Sequence, residues 1–241
     1  MLGHHDSLTD LSANGFIAAA LEHPGDNFWD QSGLGTDRVL AGRPLQLGAL
    51  LDYLLEDATF GQIIDRTRVG ALGFSAGGYT ALAAAGAVPK FELLKDYCSR
   101  HPKSVLCSGG NVVKQSNPPQ KLRPDERIKA VFIMSPVGAF FDAQSFASYM
   151  TPTRIFAAAD DTILPPAENA RKLQMMIKSV TEYSEIPLAG HFVFLAPCSA
   201  AAERALPHVC RDTEGVNRLE IHETLNQEMV RFFETYLSST R

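Results

Sequence analysis

The stretch Arg68–Gly86, RVGALGFSAGGYTALAAAG, changes character halfway along. An apolar run from Val69 to Phe74 passes through Ser75-Ala76-Gly77-Gly78 and continues as an Ala-rich pattern. The first half predicts a strand and the second a helix, so Ser75 stands at the pivot between them. In a sheet of parallel strands, the strand C-termini and helix N-termini meet at one edge, where ligands bind. A side chain on a tight strand-to-helix turn is pushed out at that edge. The bend needs small neighbours, which Gly73, Ala76 and Gly77 supply in a G-x-S-x-G arrangement. The turn also aims the first free amides of the helix at whatever Ser75 attacks, with the Ala76 N–H as an oxyanion donor. Ser-Gly-Gly turns also occur as plain structure; a strand before and a helix after favour the nucleophile.

Outward from this pivot the pattern alternates. Gly15–His23, GFIAAALEH, reads as a short strand ended by His-Pro-Gly-Asp-Asn. A polar, Gly-rich loop runs to Arg43. Pro44 then opens a helix with apolar positions at Leu47, Leu50, Leu51, Leu54 and Leu55. Residues 90–127 read as an irregular excursion. Beyond them KAVFIMS, TRIFAAA and VTEYSEIP predict strands, PAENARKLQMMIKS a helix, and RLEIHETLNQEMVRFFETYLSS an amphipathic C-terminal helix. Alternation of this kind predicts an α/β fold with a mostly parallel sheet covered by helices on both faces. The length of 241 residues suits one domain over 1–241.

A weak nucleophile needs a base, and the base needs an orienting acid. Asp160 and Asp161 follow TRIFAAA, and His191 follows VTEYSEIP in LAGHFVF. Both places lie just past a strand end, at the same sheet edge as Ser75. The order Ser, Asp, His fits a triad. Asp161 is preferred as the acid because it lies deeper in its loop, with Asp160 as runner-up. The remaining histidines, His222 among them, have no comparable context. His4, His5 and Asp6 are close in sequence, but adjacent histidines rarely converge on one metal ion.

The net charge is −5, with both signs interspersed, which gives no electrostatic case for nucleic acid. No apolar run approaches the ~18 residues of a spanning helix. No signal peptide follows Met1, no Gly-rich phosphate loop or metal-ligand cluster is visible, and no cofactor is implied. The cysteines fall into two local pairs, Cys98 with Cys107 and Cys198 with Cys210. They read either as two short-loop disulfides or as four buried thiols. Disulfides would place the protein in an oxidising compartment, periplasmic or secreted.

The stretches ANGFIAAALEHPGDN, RPLQLGALLDYLL, RTRVGALGFSAGGYTALAAAGA, DDTILPP and AGHFVFLAPC, with the C-terminal helix, make the chain resemble the α/β-hydrolase superfamily. More narrowly, it resembles bacterial predicted dienelactone hydrolases related to the platelet-activating-factor acetylhydrolase group. The resemblance implies an α/β-hydrolase fold with Ser75 as nucleophile, Asp161 as acid, His191 as base and Ala76 as an oxyanion donor. Dienelactone hydrolase proper uses a cysteine where this chain has Ser75, so generic hydrolysis of a small-molecule carboxylic ester is the expectation. In the superfamily a strand ending in His-Gly supplies the other oxyanion amide, and no His-Gly precedes Ser75 here. By that topology the strand belongs between GFIAAAL and RVGALGF. Its absence leaves a gap or makes those two strands re-pair.

Two readings of the N-terminus stay open. In one, Met1 is an internal start of a longer, exported protein; in the other, the chain is whole and something near Leu2 or Gly3 replaces the donor. The first is preferred because it also accounts for cysteine pairs without a signal peptide. An exposed sheet edge would favour homo-oligomers. The rival functional class is a catalytically impaired or non-catalytic binding protein on the same fold.

Overall fold

Four runs of the sequence form strands; the first three carry apolar residues at most positions, as strands covered on both faces must, while the last, VTEYSEI, mixes polar and apolar residues and has none fully buried. These are β1 (Val69–Phe74), β2 (Ile128–Met134), β3 (Thr153–Ala158) and β4 (Val180–Ile186). In the computed structural model of the chain, which describes residues 2–27, 29–107, 113–114 and 122–238, they form one parallel sheet in the order β1-β2-β3-β4. The protein is thus α/β. Side chains alternate across the sheet with the two-residue period of extended backbone. Val131, Ile133, Ile155 and Ala157 join one core, and Ala130, Phe132, Met134, Phe156 and Ala158 join the other. Each large aliphatic or aromatic side chain fully buried there contributes about 1.5–3 kcal/mol.

Helices close both faces. On the first lie α2 (Asp37–Glu56), α3 (Ala76–Ala84), α4 (Leu93–Arg100) and α5 (Ala170–Met176). On the second lie α1 (His5–Ala13) and the long α8 (Arg218–Leu237), whose Leu225, Met229, Phe232, Phe233 and Leu237 make its inner stripe. Two short helices, α6 (Ala200–Ala205) and α7 (Pro207–Cys210), precede α8. Among the described residues, no helix is long and apolar enough to cross a membrane.

Three expectations need correction. The helix expected to open at Pro44 begins at Asp37, where the Thr36 side chain accepts the Val39 N–H. Pro44 therefore lies inside the helix, and its missing N–H frees the Leu40 carbonyl. The Tyr79 hydroxyl donates to that carbonyl at 3.0 Å, so the break in the ladder is satisfied by α3. The 90–127 stretch is also less irregular than expected, for it contains α4 and a 3-10 turn at Val105–Cys107. Residues 108–112 and 115–121 lie outside the described residues.

Gly15–His23, expected as a strand, is not one: its residues 16–22 adopt no regular structure. A strand needs a neighbour, and this run faces a cavity of about 600 Å³ lined by Phe16–Leu21, by the whole of β1, and by Leu47, Leu51, Leu54, Phe233 and Leu237. The two runs have not re-paired; a gap stands between them. The Ser75 N–H bonds to the Met134 carbonyl on the β2 side. Strand alternation then turns the amides of Gly70, Leu72 and Phe74 toward the gap.

Both cysteine pairs are disulfides, Cys98–Cys107 and Cys198–Cys210, with Cα–Cα distances of 5.6 and 5.7 Å. Both are compatible with an extracellular or periplasmic location.

Candidate active site

Ser75 follows β1 and caps α3 with φ 54° and ψ −119°, a left-handed conformation that costs a non-glycine residue about 1–3 kcal/mol. Packing on both sides of the turn holds it there. A Cβ on Gly73 would lie 2.1 Å from the Gly77 carbonyl oxygen, so only glycine lets the strand and the first helical turn approach this closely. Gly78 is equally confined, since a Cβ there would meet Pro136 at 2.6 Å. Gly77, read from the sequence as one of the required small residues, would meet nothing within 4 Å. The close contact belongs to Gly78, which the motif's spacing does not single out. Ala76 opens the helix, so its N–H lies outside the helical ladder at the positive end of the helix dipole.

His191 opens a 3-10 turn, His191–Phe194, just past β4. Its Nε2 lies 3.0 Å from Ser75 Oγ and its Nδ1 2.6 Å from Asp161 Oδ2. Because a carboxylate only accepts, Nδ1 carries the proton, and Nε2 is left as the acceptor for the Ser75 hydroxyl. The imidazole is buried and packs on Phe74, with ring centroids 4.7 Å apart. Asp161 is 3% exposed, and its other oxygen accepts the Ile163 N–H at 2.9 Å and the Leu164 N–H at 2.7 Å. These bonds fix the carboxylate's rotation so that Oδ2 faces the imidazole. Asp160 instead turns its side chain outward, and its own N–H bonds to the Ala189 carbonyl. Of the two adjacent aspartates, Asp161 is the one that meets His191.

Ser75, Asp161 and His191 come from three segments separated by 86 and 30 residues (161 − 75 and 191 − 161). The parallel order β1-β2-β3-β4 brings all three to one end of the sheet. Ser75 is partly exposed while the groups behind it are buried, as an accessible nucleophile backed by a desolvated base requires. Tyr79 and Phe194 are core residues, 1% and 0% exposed.

Among the histidines without comparable sequence context is His222. It is buried on α8, with Nδ1 2.5 Å from Asp6 Oδ2 and Nε2 2.8 Å from the Val193 carbonyl oxygen. Asp6 and His222 are 216 residues apart, and no local pattern joins them. Among the described residues, no group of three or more His, Cys, Asp or Glu side chains is placed to hold a metal ion.

Fold and site together define an α/β protein with a serine, an imidazole and a carboxylate in hydrogen-bond succession at the C-terminal edge of a parallel sheet. The chain matches no protein-family model, and comparison with curated proteins finds no match.

Proposed function

We propose that this chain is a serine hydrolase of carboxylic esters, built on an α/β-hydrolase fold related to the dienelactone-hydrolase and platelet-activating-factor acetylhydrolase group. The observation that carries the reading is the unbroken chain Ser75 Oγ, His191 Nε2, His191 Nδ1, Asp161 Oδ2, at 3.0 and 2.6 Å, with Ser75 held in left-handed backbone at a strand-to-helix turn.

In this reading His191 takes the Ser75 proton as Oγ attacks the acyl carbon. The imidazolium that forms is stabilised by Asp161, and the developing oxyanion faces the Ala76 N–H. His191 then gives its proton to the leaving alcohol, and an acyl-enzyme remains on Ser75. Water, deprotonated by the same imidazole, releases the acid. Burial of His191 and Asp161 strengthens their interaction, because water does not compete for the charge.

The test is labelling of the chain with a fluorophosphonate probe and peptide mapping, with Ser75→Ala as control. Modification at Ser75, together with hydrolysis of p-nitrophenyl acetate that falls by roughly 10³-fold or more in the variant, is the expected outcome. A folded wild-type chain that neither labels nor hydrolyses the ester would overturn the reading in favour of a non-catalytic protein.

A further inference from the structure

The turn that carries His191 is held from behind by a second buried histidine. Val193 lies two residues past His191 in the same 3-10 turn, and its carbonyl accepts from His222 Nε2 at 2.8 Å. On its other side the His222 ring meets Asp6 Oδ2 at 2.5 Å. Burial works to raise the Asp6 pKa, but hydrogen bonds from His222, the Ser7 N–H and Asn226, with the charge on His222, outweigh it and bring it to about 2. Asp6 is thus ionised, and the Val193 carbonyl only accepts, so His222 Nε2 is the donor of that bond.

The cluster extends further. Asn226 Nδ2 donates to the same Asp6 oxygen at 3.3 Å, and Asn226 Oδ1 accepts from the fully buried Ser7 hydroxyl at 2.8 Å. Gly3 supplies a parallel tie, its carbonyl accepting the Ala196 N–H at 2.8 Å. Gly3, Asp6 and Ser7 therefore hold this segment at two points: the turn itself through α8, at Val193, and directly just past it, at Ala196.

We propose that His222, braced by Asp6, is a positioning residue for the base: it fixes the Val193 carbonyl and thereby the height and tilt of the His191 imidazole over Ser75. Loose support of this kind is costly, because a misplacement of about 1 Å in a catalytic group lowers a rate by roughly 10²-fold. His222 is buried and bonds to Asp6 and the Val193 carbonyl, with no hydrogen bond to Ser75, so its effect is expected on kcat and not on KM. The kinetic part of the inference rests on the hydrolase reading; the structural part does not.

The experiment compares the wild type with His222→Ala, His222→Gln and Asp6→Asn. Glutamine retains an N–H donor for the Val193 carbonyl, and asparagine retains an oxygen for His222. With p-nitrophenyl acetate, His222→Ala is expected to lose roughly 10- to 100-fold in kcat at unchanged KM, and His222→Gln to recover most of it. In parallel, proton NMR follows the low-field His191 Nδ1–H resonance of the bond to Asp161. That resonance is expected to broaden in His222→Ala and to persist in His222→Gln, while resonances of the sheet core stay put. Should His222→Ala not fold, Asp6→Asn provides the graded test, with a smaller loss of kcat and partial broadening. Full kcat and an unchanged resonance in the weakest folded variant would overturn the proposal. So would equal losses in His222→Ala and His222→Gln. A wild type that shows the resonance and its His222 dependence but fails to label at Ser75 would sink the hydrolase reading alone.

Discussion

At the scale of the residue, two carboxylates side by side in sequence meet different fates. The Asp161 side chain accepts two backbone amides and the imidazole, whereas that of Asp160 points outward. On the proposed hydrolase reading, Asp161→Asn would present a neutral amide to His191 and favour the wrong tautomer, lowering kcat on an activated ester by roughly 10⁴-fold. Asp160→Asn is expected to stay close to wild type, and equal losses in the two variants would contradict the assignment. His4 supplies a pH dependence of a different kind. Burial, partly offset by Asp6, pushes its pKa from 6.5 down to about 4, and its buried Nδ1 has no hydrogen-bond partner among the described residues. The unfolded chain therefore takes up a proton on this ring near pH 6.5 and the folded chain only near pH 4. Between those values the unfolded state binds more protons, so stability is full above pH 6.5 and falls as acid is added, by up to about 3 kcal/mol at pH 4. Urea midpoints at neutral and mildly acidic pH are expected to slope less in His4→Leu than in the wild type. Parallel slopes would mean that His4 is not the group responsible.

At the scale of the element, the turn from β1 into α3 is an exercise in close approach. A methyl at Gly78 would run into Pro136, and Gly78→Ala is expected to cost about 1–3 kcal/mol through overpacking. Gly77→Ala meets open space in a helical position and is expected to be neutral or to stabilise by up to about 1 kcal/mol. Thermal melting of the two variants checks this; the reverse ranking would mean that the turn is packed differently. The start of α2 teaches a related lesson. Pro44 is a common opener of helices, but here it sits inside one because Tyr79, from another helix, takes the carbonyl it frees. Local sequence signals the end of a helical ladder, and only a tertiary hydrogen bond shows that the ladder continues.

Over the whole molecule, the two disulfides lie outside the sheet. One ties α4 to the 3-10 turn after it, and the other ties the segment following the His191 turn to α7. Each closes a short loop and stabilises by about 3 kcal/mol or less in the chain-entropy view. Reduction is therefore expected to lower the proposed ester hydrolysis at temperatures where the sheet still gives its native circular dichroism, since Cys198–Cys210 restrains the segment that follows His191. Identical activity and melting with and without reductant would count against that. The gap beside β1 is the other feature of this scale. The β1 edge of the sheet, without a neighbouring strand among the described residues, lines a cavity walled by Leu47, Leu51 and Leu54 on one face and by Phe233 and Leu237 on the other. The apolar run at Gly15–His23 carries the composition of a strand and is not one, because pairing is a property of two segments and a partner for this one is lacking among the described residues.

The sequence by itself determined the parallel α/β character, the strand-to-helix pivot at Ser75, and Asp161 and His191 as its candidate companions, because each signal is local: an apolar run, a turn, and a polar residue just past a strand end. Tertiary structure alone decided which side chains touch. It chose between Asp160 and Asp161 by the amides that hold the carboxylate, moved the essential close contact from Gly77 to Gly78 by the approach of Pro136, and joined Asp6 to His222 behind the His191 turn. Contacts of this kind depend on distances between segments far apart in the chain, and a one-dimensional pattern carries no such distance.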